Sequence, residues 1–215
     1  MIPLCVPMGD GCLSVTFDEK IDPAVNARCV ALATDLERRA IPGVRDIVPA
    51  YHAVAVFFDP RRVERRALQW ELEALAALEM TTVASEPAPI EISVSYGGEA
   101  GPDLASVAAF ASCSEGDVIR LHTEPVYRVY MLGFLPGFAY LGSVDRRIAM
   151  PRLDAPRLRV PAGSVGIAGA QTGVYPFDTP GGWRLIGRTS LKLFDPTRQE
   201  PSLLKAGDRV KFVVA

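Results

Sequence analysis

The stretch VPAGSVGIAGAQTGVYPFDTPGGW, residues 160–183, decides how the second half of this chain is read. Its glycines recur every few residues, and Asp178 is its one charge. Such a segment is either a phosphate cradle or a strand that neighbours approach closely. No GxxxxGK[ST] pattern is present, and GSVGIAG is not followed by a helix whose N-terminus could receive an anion. Val165 and Ile167 between the glycines favour the strand, with the backbone exposed to a close neighbour.

Working outward, MPRLDAPRLRVPAG (150–163) places prolines at 151, 156 and 161, which keep the chain extended. Arg152 and Arg157 each follow one of these prolines. Five residues apart on an extended chain, they face opposite sides, so a shared ligand would require a turn between them. Further short strands are read at VYRVYML, SVGIAG, GWRLIGR, LKLF and DRVKFVVA, separated by Gly/Pro turns. This punctuation predicts a closed or nearly closed β-barrel. Before it, Asp103 and Ser114 are candidate caps of two short helices, Ser114 with Asp117 at capping-box spacing.

The first part has a different grain. LSVTF (13–17) alternates as a half-buried strand. Asp22 and Pro23 open a helix whose Val25, Cys29, Leu32 and Leu36 recur at helical spacing. VRDIV (44–48) is a short strand, and HAVAVFFD (52–59) is apolar on both faces, as in a central strand. Asp59-Pro60 repeats the helix-start chemistry, with Val63, Ala67, Ala74 and Leu78 along a second helix. IEISVSY (90–96) alternates again. The order strand, helix, strand, strand, helix, strand predicts a ferredoxin-like arrangement. The fold class expected is therefore α+β, with the change of grain within 85–100 and the domains set at 1–88 and 89–215.

Of the 215 residues, 49% are hydrophobic and 22% charged, as expected of a globular protein. A net charge of −2 argues against a general nucleic-acid binder, and RRVERR (61–66) reads as the solvated face of a helix. No apolar run approaches the roughly 20 residues that span a bilayer, and MIPLCVPMGD does not read as a signal peptide, so a cytoplasmic location is expected. Cys5, Cys12, Cys29 and Cys113 lack CxxC spacing, and with two histidines no metal site is expected.

LGFLPGFAYLG (132–142) is aromatic and uncharged, and Phe134, Phe138 and Tyr140 are read either as a pocket wall or as barrel packing. His122, at the end of a helix, is read as a structural residue or a base. Tyr175, Asp178, Trp183 and Arg188 complete a polar and aromatic set around the glycines. Ser164 and His122 are both present, but no Ser-His-Asp order follows from their spacing.

The runs YGGEAGPDL, LGFLPGFAYLG and PRLDAPRLRVPAGSVGIAGAQTGVYPFDTPGGWRLIGRTS, with GDGCLSVTF and VPAYHAVAVFFDP nearer the N-terminus, resemble the PxpB/KipI family over nearly the whole chain. DTPGGW and GRTS stand where the family pattern has SPGGW and GRTP. The resemblance implies a ferredoxin-like domain followed by a cyclophilin-like barrel. It also implies one of three functions. The first is a subunit of an ATP-dependent 5-oxoprolinase, inactive alone, opening 5-oxo-L-proline to L-glutamate with PxpC- and PxpA-type partners. The second is a KipI-like inhibitor of a sensor histidine kinase, and the third a carboxyltransferase-type subunit of urea or allophanate metabolism (allophanate hydrolase subunit 1). For the first, ATP would be used at a site shared with a partner subunit. Lactam opening then needs donors for an oxyanion and cations for carboxylate and phosphate. The expected catalytic residues are His122, Arg157 and Gln171; the expected substrate-binding residues are Arg152, Ser164, Tyr175, Trp183 and Arg188.

Overall fold

A computed structural model describes residues 3–78 and 88–215, which form two compact units, each considered by itself. The expected passage between domains adjoins residues 79–87, which lie outside the described residues.

The first unit runs β1 (Leu4–Pro7), β2 (Cys12–Thr16), α1 (Pro23–Arg39), β3 (Val44–Pro49), β4 (Ala53–Phe58) and α2 (Arg65–Ala77). Asp22 caps α1 by accepting from the Ala24 and Val25 N–H groups, and Val25, Cys29, Leu32 and Leu36 are buried as their spacing requires. The strands form one antiparallel sheet in the order β1-β2-β4-β3. This is the ferredoxin-like order, with an N-terminal strand in the place of the fourth. IEISVSY is therefore not part of this sheet, contrary to the sequence reading. Alternation fixes which face of a strand is buried but not which strand it pairs with, and Pro3 and Pro7 disguise β1 as a loop although an edge strand tolerates them.

The second helix also differs from expectation. Asp59 caps a turn through the Arg61 N–H, while Glu64 is the cap of α2, accepting from Arg66 and Ala67. Leu68, Leu72, Leu75 and Ala76 face the core, rather than Ala67, Ala74 and Leu78. Each leucine withdraws more apolar area from water than an alanine, about 1.5–3 kcal/mol when fully buried.

The second unit runs β5 (Ile90–Tyr96), α3 (Leu104–Ala111), α4 (Glu115–Thr123), β6 (Tyr127–Leu132), β7 (Ala139–Gly142), β8 (Arg157–Val160), β9 (Ser164–Ala168), β10 (Gln171–Val174), β11 (Thr179–Gly181), β12 (Arg184–Arg188) and β13 (Arg209–Val214). Seven of these strands close a barrel in the order β10-β7-β6-β13-β5-β12-β9. All neighbours are antiparallel except β5 and β13, which run parallel. β8 and β11 form a separate two-stranded ribbon. The LKLF segment is not a strand: Phe194 makes one isolated bridge to Ser202, and Asp195 turns the chain by accepting from the Thr197 N–H.

The opening glycine stretch thus centres on the β9–β10 hairpin and runs on through β11. At Gly173, a Cβ would lie 2.9 Å from the Ala139 carbonyl and 3.2–3.3 Å from the Phe138 and Trp183 rings, so only glycine lets the aromatic layer close over the strand. Ser114 and Asp117 form the expected capping box of α4. Asp103 occupies the N-cap position of α3, but its side chain is engaged elsewhere.

Candidate functional site

Phe138 is the hub of an aromatic cluster on the barrel. Its ring meets Phe134, Tyr140, Tyr175 and Trp183 edge-on, at centroid separations of 5.6, 4.9, 5.3 and 5.4 Å. These five rings, with Arg152, Pro156 and the Pro180–Gly182 backbone, line a pocket of about 300 Å³. Each part is locally determined. Phe134 sits in the tight β6–β7 loop at φ +69°, 60% exposed, a left-handed conformation that strains an aromatic residue. At Gly181, a Cβ would lie 2.6 Å from the Tyr175 hydroxyl, so the glycine makes room for that ring. The Tyr175 hydroxyl is also hydrogen-bonded to the Trp183 backbone.

Arg152 stands on a segment fastened at three points. The Met150 carbonyl accepts from Gly169 N–H, the Pro151 carbonyl from Arg184 Nε, and Leu153 N–H donates to Gly182. Its guanidinium is exposed at the pocket rim and has no hydrogen-bond or ion-pair partner among the described residues. A planar cation on a rigid segment beside an apolar box suits a small cyclic or planar ligand bearing a carboxylate.

Arg157 is engaged elsewhere. Its Nη2 is 2.7 Å from Asp103 Oδ1, and Nη1 reaches the Trp183 carbonyl at 3.5 Å. Asp103 Oδ2 accepts from the Leu185 N–H at 2.7 Å. The pair is 29% and 10% exposed, so Arg157 serves to hold β8, β12 and the start of α3 together beneath the pocket. The bend at 154–155 sends the two arginines to different tasks. Arg159 and Asp178 pin the ribbon likewise, at 2.6 and 2.9 Å, and Asp178 also accepts from Ala162 N–H.

His122 lies in the core of this unit, 0% exposed, 4.6 Å from Phe212 between ring centroids. Nδ1 is 2.8 Å from the Tyr96 hydroxyl and Nε2 2.9 Å from Thr172 Oγ1. Thr172 donates its one hydroxyl proton to the Gly166 carbonyl, so it must accept from His122. That fixes the Nε2–H tautomer and makes Tyr96 the donor to Nδ1. Burial pushes the imidazole pKa down from 6.5 to about 3. Both ring nitrogens are therefore occupied in a neutral ring that does not line the pocket, an arrangement for packing rather than for proton abstraction.

Of the eight residues named from sequence, the pocket brings together Arg152, Tyr175 and Trp183. Ser164 is buried on β9 and Gln171 lies on β10; neither lines the pocket. Arg188 lines a second cleft with Lys192. Phe134, Phe138 and Tyr140, each more safely read from sequence as packing, line the pocket, and Asp103, read as a helix cap, pairs with Arg157 instead. The positive φ that marks the Phe134 loop has no signature in the sequence.

The pocket holds no carboxylate, imidazole or thiol among the described residues. Burial raises the pKa of both Tyr140 and Tyr175, so neither hydroxyl is a base near neutral pH. Its groups are of the kind that bind and orient a ligand, and a hydrolytic reaction there would need groups from elsewhere. No cluster of three or more potential metal ligands occurs among the described residues, and no described helix is long and apolar enough to cross a membrane.

Comparison with known proteins places these features. The chain is 44% identical to a 5-oxoprolinase subunit of Bacillus subtilis (strain 168) over 216 residues, covering 96% of this chain and 90% of the relative. It superposes on the crystal structure of TTHA0988 with a TM-score of 0.86 and 43% identity, covering 95% of this chain but 40% of that longer one. The Kluyveromyces lactis urea amidolyase shares the fold, with a TM-score of 0.76 at 20% identity over 99% of this chain and 15% of the enzyme. The ferredoxin-like strand order of the first unit and the closed barrel of the second agree with the fold class that the family resemblance implies, with IEISVSY moved from the first to the second. The family model for the carboxyltransferase domain, subdomain C and D, matches residues 3–204, and the chain belongs to that family.

Proposed function

We propose that this protein is one subunit of an ATP-dependent 5-oxoprolinase, a hydrolase complex that opens 5-oxo-L-proline to L-glutamate with PxpC- and PxpA-type partners. The observation that carries the reading is the unpartnered Arg152 at the rim of a five-ring aromatic pocket. 5-Oxoproline is a small five-membered lactam with one carboxylate. Its ring fits between Phe138, Tyr140 and Trp183 while its carboxylate meets the guanidinium. The Bacillus subtilis relative, named as a 5-oxoprolinase subunit, supports the same substrate.

Opening a resonance-stabilised amide also requires an activated lactam oxygen, a water and a base. The pocket supplies the positioning and lacks the base, so this chain alone is inactive or nearly so. A partner completes the site against the Phe134 rim. TTHA0988, in which the matched region is 40% of a longer chain, is compatible with further sequence acting beside this one.

The test is co-expression with the two partner types and an assay of glutamate formed from 5-oxoproline with ATP. The complex turns over and this chain alone does not. Arg152→Ala raises KM for 5-oxoproline about 10- to 100-fold, the cost of one charge-assisted pair, with assembly retained. Arg152→Lys recovers part of the loss, because the charge remains but the fork does not. An assembled complex that forms no glutamate refutes the reading.

A further inference from the structure

A second cleft, of about 630 Å³, opens where β5, the β8–β9 turn and the segment after β12 meet. It lies against the aromatic pocket: Tyr175 lines the pocket and the next residue, Pro176, lines the cleft. The Tyr175 backbone between them is fixed on both sides, with its N–H donating to Ser164 and its carbonyl accepting from Gly163.

The polar groups of this cleft are donors. Arg188 Nε is held by the Ala162 carbonyl at 2.9 Å, which orients the fork; neither Nη has a hydrogen bond or salt bridge among the described residues, and the one carboxylate that feels its charge, Asp178, is paired with Arg159 and does not line the cleft. Lys192 Nζ is steadied 3.0 Å from Asp195, which does not itself line the cleft. The hydroxyls of Ser95 and Ser190 have no partner among the described residues. Thr189 Oγ1 accepts from Leu191 N–H at 3.2 Å and keeps its proton to donate. No carboxylate lines the cavity among the described residues. Two oriented cations and three hydroxyl donors around a cavity of ligand size are the chemistry of a multiply charged oxyanion.

We propose that this cleft binds the polyphosphate of a nucleoside triphosphate, with Arg188 and Lys192 as its cationic arms and Ser95, Thr189 and Ser190 as neutral donors. The nucleotide identity rests on the ATP-dependent reading above; the oxyanion chemistry does not. A triphosphate there lies beside the carboxylate pocket, on the other side of the Tyr175–Pro176 backbone.

Titration calorimetry of the full chain with inorganic tripolyphosphate, ATP and adenosine tests this. Tripolyphosphate binds, ATP binds at least as tightly, and adenosine alone binds far more weakly than either. Arg188→Gln and Lys192→Gln each weaken tripolyphosphate about tenfold with an unchanged near-ultraviolet spectrum, and raising the salt weakens the unsubstituted chain. Arg152→Ala, in the neighbouring pocket, leaves tripolyphosphate affinity within about twofold. Absence of tripolyphosphate binding, binding indifferent to Arg188 and Lys192, or adenosine binding as tightly as ATP overturns the assignment. A chain that binds no triphosphate within a complex that opens 5-oxoproline removes this cleft and leaves the functional reading intact. Triphosphate binding by the chain together with an inactive complex does the reverse.

Discussion

Replacing His122 by Gln should abolish a pH dependence of stability whose size follows from one buried ring. The neutral imidazole is sealed between Tyr96, Thr172 and Phe212, and burial lowers its pKa from 6.5 to about 3. The unfolded chain takes up a proton as pH falls through 6.5, whereas the folded chain does not until pH 3. Stability is thus fully present above 6.5 and falls by about 1.4 kcal/mol per pH unit below it. Between pH 7.5 and 5.0 the loss comes to about 2 kcal/mol. The capped and ion-paired carboxylates, such as Asp145 and Asp195, have pKa values below their ordinary 3.8 and lose their contribution at lower pH than this window. Urea unfolding followed by Trp183 fluorescence in a Trp70→Phe background reads the barrel unit alone, since Trp70 is a 74%-exposed residue of the other unit. His122→Gln costs about 1–3 kcal/mol at pH 7.5, because Tyr96 loses its acceptor, and flattens the pH slope. A flat profile in the unsubstituted protein, or the same slope in the variant, refutes the buried neutral ring.

Two further outcomes follow from the same unit. Arg157→Ala leaves Asp103 nearly buried and unpaired and destabilises the barrel by about 2–4 kcal/mol. Adding Asp103→Asn costs less than the sum of the two single changes in the same urea assay, because the pair acts together. Phe134→Gly relieves a left-handed aromatic residue and changes stability by no more than about 1 kcal/mol in either direction, while on the proposed function the KM of the assembled complex for 5-oxoproline rises because a pocket wall is gone.

The parts of the fold that were legible carried their cause within a few residues. Asp22-Pro23 and the Val25–Leu36 spacing declare α1, and the Ser114–Asp117 pair declares α4. What failed depended on distant partners. IEISVSY alternates equally well in either sheet, and its parallel neighbour β13 lies about 120 residues later in the chain. On α2 two apolar stripes compete, and residue size settles which is buried. The site divides in the same way. Arg152 and Arg157 both follow a proline and look alike locally, but one has an acidic partner 54 residues away and the other has none among the described residues. His122 has the residue type of a base, and its burial is decided by strands β5, β10 and β13, which no local pattern specifies.

The parallel pairing of β5 with β13 bears on how the barrel is made. These are its first and last strands, so the ring stays open along β5 and β6 until residues 209–214 arrive. Closure waits on the longest-range contact in the unit, which makes folding of the barrel slow relative to that of the sheet formed by β1 to β4. During synthesis the unpaired edges of these two strands are exposed to whatever strand comes first, so the period before residue 214 emerges is when this chain is most prone to aggregate.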